Sequence, residues 1–121
     1  MPREILQESN IHPAIRERVA HYNENILREV QAAIVAHPLV LVGMKQNPFV
    51  RRARNTLVAA GVTYHELEYG SYLSQWRRRS ALKMWTGWPT FPMLFVKGRL
   101  IGGAMELQGL IDSGELNSLL A

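Results

Sequence analysis

The stretch "LVLVGM", Leu39 to Met44, constrains this chain more than any other. It shows no alternation of apolar and polar positions, so it does not read as a strand with one face in water. A short continuous apolar run of this kind is a strand buried on both faces, which needs layers packed above and below it. Three residues later comes Asn47-Pro48. That pairing starts helices, because the asparagine side chain accepts from free backbone N–H groups and proline fits the first turn. Strand, short loop and helix are therefore the first unit of the fold.

The remaining segments can be placed around it. Ile11, Ile15, Val19, Tyr22, Ile26 and Val30 recur at helical spacing and predict one long amphipathic helix over 11–36. Asn10 is its expected cap, with Pro13 in the first turn. His37-Pro38 marks its end, since the residue before proline avoids helical angles. The helix from Pro48 to Ala60 is expected to bury Phe49, Ala53, Leu57 and Ala60, with Gly61 closing it. Val62 to Glu68 alternates and is rich in β-branched and aromatic residues, which predicts a second strand. Ser71 to Trp85 reads as a helix carrying Arg77, Arg78 and Arg79. Met93–Val96 and Leu100–Ile101 read as a hairpin turned at Lys97, Gly98 and Arg99. Met105 to Leu120 completes the chain as a helical segment broken near Gly114. Two strands joined by a helix run parallel and a hairpin runs antiparallel. The expected fold is therefore α/β, a four-stranded mixed sheet flanked by helices. Residues 1–25 would be an N-terminal helical extension and 26–121 the compact domain.

Composition excludes several functions. A chain of 121 residues, 47% hydrophobic and 20% charged, suits one compact domain. No stretch approaches the roughly 20 apolar residues that cross a bilayer. "MPREILQESN" is too polar for the apolar segment of a signal peptide, so a cytoplasmic location without a membrane partner is expected. The formal charge of +4 permits an anionic ligand, but no aromatic-interleaved basic pattern accompanies it, and nucleic acid is not an expected partner. His12, His21, His37 and His65 are scattered, and no metal site is expected. The most decisive count is zero cysteines, which excludes a disulfide, a thiolate ligand and a cysteine nucleophile.

"MKQNPFVRRARNTLVAAGV", then "GWPTFPMLFVKGRLIGG", then "LIDSGEL", resemble a glutaredoxin of the thioredoxin-like fold from about Ile26 to Leu120. "WPTFP" and the Gly-Gly pair look most like the monothiol branch, which is associated with iron–sulfur clusters, whereas the loop before the helix is short, as in the dithiol branch. The resemblance places Asn47 and Val50 at the two cysteine positions. In the family the first cysteine sits at a helix N-terminus, where backbone N–H groups and the helix dipole stabilise its thiolate, and it also ligates iron in a glutathione-bridged [2Fe-2S] cluster. Asparagine is neither a nucleophile nor a good iron ligand, so no catalytic residue is expected and Asn47 is chiefly a cap.

The resemblance further implies a glutathione groove. Lys45 and Arg79 match basic positions facing the glycine carboxylate, and Asn47 and Phe49 stand at the start of the helix beside it. Thr90, Phe91 and Pro92 match a turn whose proline is cis and whose backbone pairs with the cysteinyl part. Gly102, Gly103 and Ala104 match the loop receiving the γ-glutamyl end, while Met105 replaces the usual aspartate and Glu106 follows. Arg51, Arg52 and Arg54 lie in the first turns of a helix, against its dipole, so an anionic ligand, an acidic partner, or Glu66 or Glu68 should offset them. The expected function is a non-catalytic binding module with a groove for glutathione, another small anion or a peptide. The alternative is a glutathione-dependent redox or [2Fe-2S] role that uses thiols supplied by glutathione or a partner. A homodimer through the N-terminal helix is a third candidate.

Overall fold

The computed structural model describes residues 2–121. Its sheet contains β1 (Leu39–Gly43), β2 (His65–Glu68), β3 (Met93–Val96) and β4 (Arg99–Gly102) in the order β2-β1-β3-β4. β1 pairs with β2 in parallel and with β3 antiparallel, in a register that sets Leu41 opposite both Glu66 and Leu94. Every residue of β1 is buried, as its unbroken apolar sequence requires of a central strand. The helices are α1 (Arg16–Ala20), α2 (Glu24–Ala36), α3 (Pro48–Ala59), α4 (Trp76–Thr86), α5 (Ala104–Asp112) and α6 (Glu115–Leu120). α2 packs with α4, and α3 with α5, which covers β1 from both sides. Ile26, Leu41, Leu57, Leu82, Leu94 and Leu107 are fully buried between these layers.

The hairpin turns through Lys97 and Gly98, both at positive φ (48° and 82°), the pairing that matches strand twist in a two-residue turn. Arg99 belongs to the strand rather than the turn. Gly114, at φ 77°, breaks the last helix where the sequence indicated.

Besides the starts of β2, at His65 rather than Val62, and of α4, at Trp76 rather than Ser71, three expectations need correction. The helix over 11–36 is not continuous: α1 and α2 are separate, and Asn23 between them is left-handed at φ 46°. Apolar spacing persists through the break, but α1 buries none of its residues, whereas α2 buries Ile26, Val30 and Ala33. A short helix without tertiary cover has little to hold it in line with its neighbour. Asn10 closes a 3-10 turn, and it is His12 that caps the next one by accepting from Ala14 N at 3.0 Å. Third, α3 buries Val50, Ala53 and Leu57, while Phe49 is 54% exposed and Ala60 is exposed too. The helix crosses β1 at Gly43, where a Cβ would lie 2.7 Å from Val50 Cγ1, so the bare glycine draws Val50 inward. Folding also stacks two of the scattered histidines, His37 and His65, with ring centroids 4.0 Å apart.

The α1–α2 corner is held by His21, whose Nε2 lies 3.1 Å from Glu17 and whose Nδ1 lies 2.9 Å from Glu24. The hydrogen bond to Glu24 raises the His21 pKa above its ordinary 6.5, and the bond from His21 lowers that of Glu24 below 4.5. A raised histidine stabilises fully below its unfolded pKa and is lost as pH rises through the folded value; a lowered carboxylate stabilises above its unfolded pKa and is lost as pH falls through the folded value. The corner should therefore be firmest between about pH 4.5 and 6.5 and loosen in alkali while the core is unchanged. Backbone Cα shifts of Val19–Asn23 followed from pH 5 to 8.5 check this, and invariant shifts would contradict it.

Candidate functional site

β1 delivers the chain to the start of α3, and the loop between them carries most of the predicted site. Asn47 is extended (φ −95°, ψ 118°), and its Oδ1 accepts from Phe49 N at 2.9 Å and Val50 N at 3.1 Å. With Pro48 at the first position, the free donors of that helix turn are satisfied by an amide oxygen. Gln46 supports the loop in a left-handed conformation at φ 62°, and Lys45 N donates to Gly70 O at 2.7 Å.

Two hollows flank this helix start. One, of about 130 Å³, is polar and is lined by Lys45, Gln46, Asn47, Arg51, Arg54 and Glu68 among others. The other, of about 260 Å³, is lined by Phe49, Trp88, Thr90, Phe91, Gly103 and Met105, with Pro92, Ala104 and Glu106. The Phe91–Pro92 peptide is cis. Phe91 is buried while Phe49, Thr90 and Met105 are exposed, so the second hollow has a closed floor and an accessible rim. Gly102 lines neither hollow. It stands at φ 115°, where a Cβ would meet Glu106 Cγ at 2.7 Å.

Arg79 lies elsewhere. The resemblance aims it at a ligand carboxylate, but its side chain is buried and Nη1 donates to Tyr69 O at 3.0 Å and Ser74 O at 2.5 Å. It lines neither hollow, and its geometry is that of a brace for the loop before α4. Burial pushes its pKa down and pushes the neighbouring Tyr69 up to about 12.

Two other residues at the groove bear on its chemistry. Glu106 Oε1 accepts from Gly103 N at 2.8 Å, the reciprocal half of a capping box, which "GAME" signals by placing glutamate three positions after the cap. That carboxylate already occupies the leading N–H of α5. The Trp88 indole N–H is buried without a partner and lies 3.7 Å from the point where a Gly103 Cβ would stand; no local pattern marks it in the sequence.

Of the three arginines on α3, Arg54 is offset as expected, with Nε 2.9 Å from Glu66 Oε1 and Nη2 3.9 Å from Glu68. The bond to Glu66 raises its pKa. Arg51 and Arg52 have no ion pair among the described residues.

Known proteins resemble this chain in sequence and fold. The Glutaredoxin family profile matches residues 39–101. A "Glutaredoxin-like protein" of Dictyostelium discoideum is 40% identical over 81% of this chain and 80% of its own length. "Monothiol glutaredoxin-S11" of Oryza sativa subsp. japonica is 32% identical over 98% of this chain, which spans only 24% of that protein. Among solved structures, a buckwheat glutaredoxin–glutathione complex superposes with a TM-score of 0.71 at 25% identity, covering 83% of this chain and 91% of that one. The sheet order, the cis-proline turn beside the helix start and these matches converge: the chain belongs to the glutaredoxin family.

Proposed function

We propose that this chain is a binding module of the glutaredoxin family that works without thiol chemistry of its own, and that glutathione is the ligand of its groove. The observation that carries the reading is Asn47. Its Oδ1 takes the two N–H groups that would otherwise stabilise a thiolate, so the helix start is kept intact and the nucleophile is absent. Glutathione is favoured because a buckwheat relative in complex with it has the same fold, and because Lys45, Thr90, Phe91, Pro92 and Gly103 line the hollows on either side of Asn47. Glu106 competes for Gly103 N, so binding should be weak, with Kd on the order of 1 mM, about −4 kcal/mol.

Titrating reduced glutathione into 15N-labelled protein should shift the amides of Lys45, Thr90 and Gly103 together. Their invariance at 10 mM ligand, a concentration about tenfold above that Kd, would remove glutathione as the ligand. Glutathione-coupled disulfide reduction by the unmodified protein above the buffer rate would overturn the non-catalytic reading.

A further inference from the structure

A third hollow, of about 620 Å³, runs along α3 and is closed on its far side by Gln108 and Ile111 of α5. It shares only Arg51 with the two hollows beside Asn47. Successive turns of α3 line it in pairs: Arg51 and Arg52, then Asn55 and Thr56, then Ala59 and Ala60. From Pro48 to Ala60 this face is about 18 Å long at 1.5 Å per residue, enough to lie against about three turns of another helix.

The face is polarised. At one end Arg51 and Arg52 are exposed and unpaired among the described residues, in the turn where positive charge opposes the helix dipole. At the other end Ala59, Ala60 and Ile111 present small and apolar surface. Of the polar groups between, two are engaged: Thr56 Oγ1 donates to Arg52 O at 2.8 Å, and Gln108 Nε2 donates to Asp112 at 2.8 Å. What is left without a partner among these described residues is two guanidinium groups and the neutral Asn55 amide beside an apolar strip. The chain's own exposed N-terminal segment does not complement them, since up to Asn23 its Arg3, Arg16 and Arg18 balance Glu4, Glu8 and Glu17.

We infer that the α3–α5 face is a docking site for an acidic amphipathic helix of a partner protein, with carboxylates on Arg51 and Arg52 and an apolar stripe over Ala59, Ala60 and Ile111. This site meets the hollows beside Asn47 only at Arg51.

The test uses the full 15N-labelled chain and a synthetic helical peptide of about four turns, with glutamates towards one end and leucines at i, i+4 and i+7. Amide shifts should centre on Arg51, Asn55, Ala59 and Ile111 and leave Thr90 and Gly103 unmoved. R51E/R52E should weaken binding at least about tenfold and should bind a version of the peptide with lysine replacing glutamate. Glutamate suits the first turn of a helix, so this variant should fold, and R51Q/R52Q provides a loss without charge reversal. Absence of shifts on this face at 1 mM peptide, roughly tenfold above the affinity expected of a weak helix-in-groove contact, would overturn the proposal. So would equal binding of the lysine peptide, or tighter binding of a single-stranded oligonucleotide to the same residues.

Discussion

Arg79→Met should destabilise the fold by about 3 kcal/mol, read as a lowered urea midpoint at unchanged slope. Methionine replaces much of the volume but none of the donors, so the carbonyls of Tyr69 and Ser74 lose their bonds to Nη1. A hydrogen bond to a charged group contributes roughly 1.5–3 kcal/mol, and a buried acceptor left unpaired costs about 1–3 kcal/mol. The opposing effect is desolvation of the guanidinium, visible in its lowered pKa. Its magnitude decides the result: a loss below about 1 kcal/mol would mean that desolvation nearly cancels the two bonds. The effect should reach the groove as well. The braced loop includes Gly70, whose carbonyl accepts from Lys45 N, so the variant should broaden the Lys45 amide while leaving Gly103 sharp. Arg79→Lys, a single point donor on a shorter reach, should recover at most half of the loss.

Asn47→Cys should place a reactive thiol where the chain now has an amide. The new sulfur would face Phe49 N and Val50 N, with Lys45 and Arg51 lining the same polar hollow. Donors, dipole and cations all favour the thiolate, so the pKa should fall below about 7.5, at least one unit under the roughly 8.5 of a free cysteine. The cost is the cap, about 1 kcal/mol of stability. Alkylation rate against pH gives the pKa, and glutathione-coupled disulfide reduction gives the activity, which should rise well above that of the parent. A low pKa without activity would mean that the groove does not position glutathione; a pKa near 8.5 would mean that the loop moves once the asparagine bonds are gone.

Much of the fold was legible because its signals are local. The unbroken apolar run of β1, the Asn47-Pro48 start of α3 and the Lys97-Gly98 turn each follow from the chemistry of adjacent residues. The pairing of Arg54 with Glu66 was also foreseeable, since α3 leads directly into the strand that carries Glu66. What escaped depends on contacts across the fold. Helical spacing runs straight through Asn23, and only the lack of cover over α1 shows that the helix breaks there. Val50 rather than Phe49 turns inward because β1 offers a glycine at the crossing point. Arg79 looked like a ligand residue because a basic side chain gives no hint that it is aimed at two backbone carbonyls. Glu106 could have been read from its spacing to Gly103, but its bearing on the groove appears only when Pro92, Trp88 and Gly103 come together.

The rim of the groove keeps one exposed sulfur, the thioether of Met105, which is 68% exposed. A thiol at this place would record an oxidant as a mixed disulfide that glutathione itself can undo. A thioether instead takes up oxygen, becomes a polar sulfoxide and is restored only by dedicated sulfoxide reductases. Oxidative damage at this groove would therefore persist on a different timescale, and be repaired by different enzymes, from the damage its thiol-bearing relatives sustain.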